Sequence, residues 1–205
     1  MVVNLKQCCR AAVVLLVAAA GAGCDRIAPT AAPAAFHGAD ITGAEYARTL
    51  SLPDVSGTPR SLADFKGKVT VVFFGYTQCP DVCPTTMAEL AQVKRSLGAD
   101  GARMQGIFVT IDPERDTPPI LKAYIGSFDP SFIALRGTLA QTEEAAKEFK
   151  VYYAKVPGKD AGTYSMDHTA GAYVLDAQGR PRLFERFGGG PQELTDDLKA
   201  LLAQG

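Results

Sequence analysis

A near-continuous apolar run, Val69 to Phe74, leaves this chain few folds to choose from. A segment dominated by Val and Phe suits a strand covered on both faces of a sheet. Two cysteines follow, Cys79 and Cys83, and then a helical pattern. Pro84 fits a first turn, Met87, Leu90, Val93 and Leu97 recur at helical spacing, and Gly98 closes the run. The order strand, cysteine loop, helix is therefore set locally.

Downstream the pattern continues. Met104 to Ile111 reads as a second buried strand, and Thr117-Pro118-Pro119 starts a helix with Ile120, Leu121, Tyr124 and Ile125 on its apolar side. Thr138 with Gln141 has the form of a capping box, which predicts a helix from Leu139 to about Phe149. Ala170 to Leu175 and Leu183 to Phe187 flank the turn-like Asp176-Ala177-Gln178-Gly179 and predict an antiparallel hairpin; a last helix starts near Pro191. A βαβ unit followed by a hairpin and a terminal helix is the order of a thioredoxin-like α/β domain. Val151 to Met166 exceeds the minimal version of that fold and reads as an inserted hairpin or loop at the rim of the site. At 205 residues the chain holds one such domain, residues 46–205, and an appendage.

The appendage reads as an address. Lys6 and Arg10 form a positive start, Ala11 to Ala20 an apolar stretch, and Gly21, Ala22 and Gly23 lead into Cys24, so residues 1–23 are predicted to be a signal peptide. The uncharged stretch falls short of the roughly 20 residues that cross a bilayer. Ala22-Gly23-Cys24 resembles a bacterial lipoprotein cleavage site, with Gly21 standing where such sites usually carry Leu. The resemblance implies a lipid anchor on Cys24 and, through the neighbouring Asp25, retention at the inner membrane. Cleavage without lipid and an uncleaved anchor are the competing readings. Residues 24–45, rich in Ala, Pro, Gly and Thr, read as a flexible tether, with His37 a solvated linker residue. The expected location is the periplasmic side of the bacterial inner membrane.

A formal net charge of −1 supplies no field to hold nucleic acid, which is not an expected partner. The five cysteines divide by position: Cys8 and Cys9 leave with the signal, Cys24 takes lipid, and Cys79 and Cys83 remain for the folded domain. A single close pair is not a disulfide framework, so the pair is expected to do chemistry. Residues four apart on a helical turn have Cα atoms about 6 Å apart, which suits a disulfide or joint metal ligation. Placement at a helix N-terminus favours thiolate at both sulfurs. A plain stabilising disulfide would close so short a loop that its entropic gain is small, and zinc would want a fourth ligand that the sequence does not show. His168 is the only histidine of the predicted domain. It lies just before the predicted hairpin, in a loop that faces the cysteine loop in a thioredoxin-like topology.

The stretch Tyr76-Thr77-Gln78-Cys79-Pro80-Asp81-Val82-Cys83-Pro84, then Asp112-Pro113-Glu114-Arg115-Asp116-Thr117-Pro118, then Asp167-His168-Thr169, is similar to the successive motifs of the Sco/SenC family of cytochrome oxidase assembly proteins. The similarity runs from about Tyr46 to Gly205. It implies a thioredoxin-like fold, copper held by Cys79, Cys83 and His168, and delivery of copper or reducing equivalents to the copper-bearing subunit of cytochrome c oxidase. Other copper chaperones or thiol reductants would be further partners. Two thiolates suit Cu(I), and imidazole also tolerates Cu(II). Oxidation of the pair to a disulfide would remove both sulfur ligands, so redox state would gate loading.

Asp167 and Asp81 are candidates to orient or tune the ligands, with solvated loop carboxylates as the alternative. Asp112, Arg115 and Asp116 form either a docking or a structural loop. The main rival function is a thiol:disulfide oxidoreductase in which Cys79 attacks and Cys83 resolves. Against it, three residues separate the cysteines where thioredoxins have two, and no proline falls between Gly158 and Arg180, where thioredoxins place a cis-proline. A peroxiredoxin fits less well, because Thr77-Gln78-Cys79 replaces the usual Thr-x-x-Cys.

Overall fold

The structure, a computed structural model, describes residues 36–204. The predicted signal peptide, Cys8, Cys9, the anchor candidate Cys24 and the first part of the tether lie outside the described residues. In chain order the elements are β1 (Ala39–Asp40), β2 (Ser51–Pro53), β3 (Pro59–Ser61), β4 (Val69–Gly75), α1 (Val82–Ser96), β5 (Met104–Thr110), α2 (Pro118–Gly126), β6 (Ile133–Leu135), α3 (Leu139–Glu148), β7 (Tyr153–Pro157), β8 (Tyr164–His168), β9 (Gly171–Leu175), β10 (Pro181–Arg186) and α4 (Gly190–Leu202). The main sheet has the order β1-β10-β9-β4-β5-β6, with β4, β5 and β6 parallel and the other pairings antiparallel. Parallel neighbours require crossovers, and α1 and α2 supply them.

The apolar run of β4 is buried at every position because both faces of the sheet are covered. Successive side chains point to opposite faces. Phe73 meets Phe108, which meets Tyr124 and through it Phe128; Phe74 meets Phe149, which meets Tyr173 and through it Phe184. Two aromatic chains thus grip the central strand, and burial of rings of this size dominates the stability of such a core.

Local signals set most boundaries. Thr138 and Gln141 form the expected capping box of α3, and Gly179 takes φ 79° in the turn between β9 and β10. The inserted segment is a hairpin, β7 with β8, in a small sheet of its own. Ile120 is 45% exposed, not on the apolar side of α2, which buries Leu121 and Ile125 instead. Short strands β2, β3 and β6 carry too few residues for alternation to register.

Residues 36–45 depart from the expected tether. β1 pairs with β10, and the Asp197 carboxylate accepts the backbone N–H groups of His37 and Gly38 at 2.8–3.0 Å. A Cβ on residue 38 would lie 2.2 Å from Glu185 Oε1, so glycine permits the close approach. An edge strand of two residues has no period to read, and its carboxylate partner is 160 residues away. The domain boundary therefore falls before Tyr46; the His37 side chain itself is exposed. Among the described residues, no helix is long and apolar enough to cross a membrane.

Candidate metal centre

β4 delivers the chain to the site. It ends at Gly75, where an added Cβ would sit 2.9 Å from Cys83 Sγ and 2.8 Å from the Phe73 ring, so only glycine lets the helix bring its sulfur against the strand end. A turn follows, closed by Cys79 N–H donating to the Tyr76 carbonyl, and α1 opens at Val82, two residues before Pro84. Cys83 thus lies inside the first turn and Cys79 in the loop before it. The first N–H groups of a helix lack intrahelical acceptors. One of them, on Cys83, points at Cys79 Sγ at 3.3 Å.

Cys83 is fully buried, whereas Cys79 is half-buried and opens on a cleft of about 320 Å³ lined also by Tyr76, Pro80, Met166, Asp167 and His168. Both are free thiols. Burial pushes the Cys83 thiol well above its usual range, and the neighbouring Cys79 acts in the same direction. The helix N-terminus was expected to favour thiolate at both sulfurs; at Cys83 desolvation wins, because no water reaches the sulfur.

His168 is the last residue of β8, paired with Tyr153, rather than a loop residue. Its Nδ1 lies 3.0 Å from the Thr169 carbonyl and its Nε2 3.4 Å from Cys83 Sγ. A carbonyl only accepts, so Nδ1 carries the proton and the Nε2 lone pair faces the sulfurs. Rings of Phe73 and Tyr76 stand edge-on to the imidazole at 6.0 and 6.1 Å. Burial holds the His168 pKa below the usual value, opposed by the hydrogen bond to Thr169 and the charge of Asp167. The ring is neutral at pH 7, the state that a metal ligand needs. The ligating atoms of Cys79, Cys83 and His168 all lie within 4.8 Å of one another.

The two carboxylates proposed to tune the ligands stand differently. Asp167 is exposed and reaches His168 only through its charge. Asp81 is exposed at the N-cap of α1, 3.4 Å from Thr85 Oγ1. The partner that orients the imidazole is instead the main-chain carbonyl of Thr169. A backbone acceptor has no residue signature, so no motif could have announced it.

Asp112, Arg115 and Asp116 form a structural loop behind the site. Asp116 is buried and accepts Thr77 N–H at 3.1 Å, Thr77 Oγ1 at 2.6 Å and Thr110 Oγ1 at 2.6 Å, which ties the start of the cysteine loop to β5. Arg115 pairs with buried Asp112 and reaches across to Gln78 and Tyr164.

The SCO1/SenC family pattern matches residues 38–203. An SCO2-like protein of Rickettsia felis is 36% identical over 151 residues, 73% of this chain and 74% of that protein. The structure of Bradyrhizobium japonicum ScoI with copper bound matches with a TM-score of 0.68 at 43% identity, over 75% of this chain and 98% of that one. Yeast Sco1 with copper bound matches with a TM-score of 0.69 at 28% identity, over 77% and 88%. The element order, the thioredoxin-like sheet and the extent of the match lead to one conclusion: this chain belongs to the SCO1/SenC family.

Proposed function

We propose that this protein is a copper metallochaperone that assists assembly of the binuclear copper centre of cytochrome c oxidase, holding its cargo with Cys79, Cys83 and His168. The observation that carries the proposal is the convergence of two sulfurs and one imidazole nitrogen within 4.8 Å. Soft sulfur favours Cu(I), and the imidazole extends the site to Cu(II). Among the described residues the group closes at three ligands, one short of the set that a structural zinc site uses. The copper-bound ScoI and Sco1 structures support the same cargo.

The local chemistry suits loading and release. His168 offers a neutral nitrogen without giving up a proton, whereas Cys83 must lose the proton that burial holds on it, so loading releases acid. Cys79 faces the cleft while Cys83 sits behind it, which leaves one side from which an acceptor's ligands can approach. An exported chain, lipid-anchored through Cys24 on the periplasmic side of the inner membrane, would present this mouth to a membrane-embedded oxidase. Titration of the reduced protein with Cu(I) and Cu(II) against a competing chelator tests the reading. One tight equivalent is expected; binding no tighter than in a Cys79→Ser, Cys83→Ser double variant would end it.

The same placement of the sulfurs favours a second reading, thiol:disulfide exchange with an acceptor's copper-binding cysteines. Cys79 thiolate would attack the target disulfide, forming a mixed disulfide and releasing one target thiolate. Cys83, passing its proton to the His168 Nε2 that lies 3.4 Å from its sulfur, would then attack Cys79 sulfur and release the second thiolate. The pair loses two electrons and the target gains them. Reduction of an acceptor disulfide with loss of two thiols per chain supports this reading, and no reaction removes it.

A further inference from the structure

We infer that Arg115 and Tyr164 form a clamp that sets the spacing between the histidine strand and the cysteine loop, and that this clamp governs how well the site holds Cu(II) relative to Cu(I). The inference rests on the copper reading above and deepens it. Along β8 burial alternates, with Tyr164, Met166 and His168 turned inward and Ser165 and Asp167 exposed. One inward stripe therefore carries the ligand at one end and Tyr164 at the other. The Arg115 guanidinium lies 3.5 Å from the Tyr164 ring centroid, and its Nη1 donates to the Tyr164 carbonyl at 2.8 Å. Tyr164 OH donates to Asp112 Oδ1 at 2.9 Å, and Arg115 Nε pairs with Asp112 Oδ2. The same Nη1 reaches Gln78 Oε1 at 3.1 Å, one residue before Cys79. A single planar fork thus touches both ligand-bearing segments, a task that the point charge of lysine cannot reproduce.

The two halves of the site depend on this fork unequally. Cys79 and Cys83 meet within one strand-to-helix turn, through a contact that owes nothing to Arg115. His168 arrives on a hairpin that shares no ladder with the main sheet. Its other polar link to the Asp112 loop is the Lys155–Glu114 pair, about half exposed, and exposed pairs hold weakly. Cutting the clamp therefore loosens the histidine strand, which is then left to the burial of Met166 and the Phe73 and Tyr76 rings, and leaves the sulfurs in place. Cu(I) draws most of its affinity from the two thiolates, with the nitrogen adding little, whereas Cu(II) depends on the nitrogen.

Three variants test this. Arg115→Ala is expected to weaken Cu(II) binding at least about tenfold, the usual cost of losing an outer partner of a metal ligand. Cu(I) affinity should change by less than about threefold. The Cu(II) absorption and EPR spectra should move toward those of His168→Ala. Tyr164→Phe keeps the ring and loses only the bond to Asp112, so its effect should be smaller and in the same direction; Arg115→Lys should fall between. These two carry the test if Arg115→Ala does not fold. Equal loss of both oxidation states, or a Cu(II) spectrum identical to wild type in all three variants, overturns the inference. A metal-free readout separates it from the function: amides 164–168 of the reduced apoprotein should exchange faster in Arg115→Ala. Unchanged exchange overturns the clamp. Failure of the wild type to bind either ion, with exchange still accelerated, overturns the copper reading and the proposed Cu(II) preference but not the clamp.

Discussion

Cys79 and Cys83 lie four residues apart within one turn of chain, whereas His168 joins them from a hairpin 85 residues beyond Cys83. The sulfur pair is held by elements that form from neighbouring sequence: a buried strand, a glycine that admits the Cys83 sulfur, and the first turn of a helix. The imidazole takes its orientation from the next residue's carbonyl, but its place beside the sulfurs depends on contacts that exist only once the whole domain has assembled. Two of the proposed ligands are therefore part of the scaffold and the third is brought to it. A site built this way can keep a soft ion on two sulfurs while its third ligand is adjusted separately.

The largest effect should come from the sulfur side. Cys83→Ser is expected to lower Cu(I) affinity by more than about a hundredfold, beyond the range that outer partners cost. His168→Ala should cost Cu(I) less than this, and competition titration of both variants would reverse the comparison if the order came out opposite. Next comes the brace under the cysteine loop. Asp116→Ala strands Thr77 and Thr110 without their acceptor and should cost about 2–4 kcal/mol in denaturant unfolding, in line with buried hydrogen bonds to a charged group.

A third effect concerns the N-terminal edge rather than the metal. Burial, with Asp197 beside it, pushes the Glu185 carboxyl up to about 8 from its ordinary 4.5. The folded protein then keeps a proton that the unfolded chain has already lost, so this group takes stability away as pH rises from 4.5 to about 8, and the loss then levels off. Glu185→Gln should remove that slope and stabilise the protein at pH 9 by on the order of 2 kcal/mol after allowance for solvent screening, read by thermal or denaturant unfolding. Copper affinity should not change. The smallest effect is expected at Asp167→Asn, where loss of an exposed charge should alter Cu(II) affinity by less than about threefold. A larger change would mean that the histidine is tuned by its neighbour rather than by the Thr169 carbonyl.

The same division explains what could be read from the chain. β4, α1, β5, the capped α3 and the β9–β10 hairpin announce themselves through period, capping and turn residues that act over a few positions. The cysteine pair is legible for the same reason. His168 became a candidate through its place opposite the cysteine loop and through the family motifs, not through its surroundings. The carbonyl that orients it was hidden because a main-chain acceptor leaves no residue signature, and the Arg115–Tyr164 contact and the Asp197 latch on residues 37 and 38 because each joins a charged side chain to a partner far along the chain. The fate of the Asp112, Arg115 and Asp116 stretch was open from sequence for that reason too, and tertiary structure shows two buried carboxylates and a partly buried arginine bracing the site.

X-ray absorption on the Cu(I)-loaded protein beside His168→Ala tests the central claim most directly. The account predicts two sulfur scatterers and one nitrogen in the wild type, with the nitrogen lost in the variant and both sulfurs kept. A wild-type spectrum with sulfur alone, unchanged by the substitution, would contradict it.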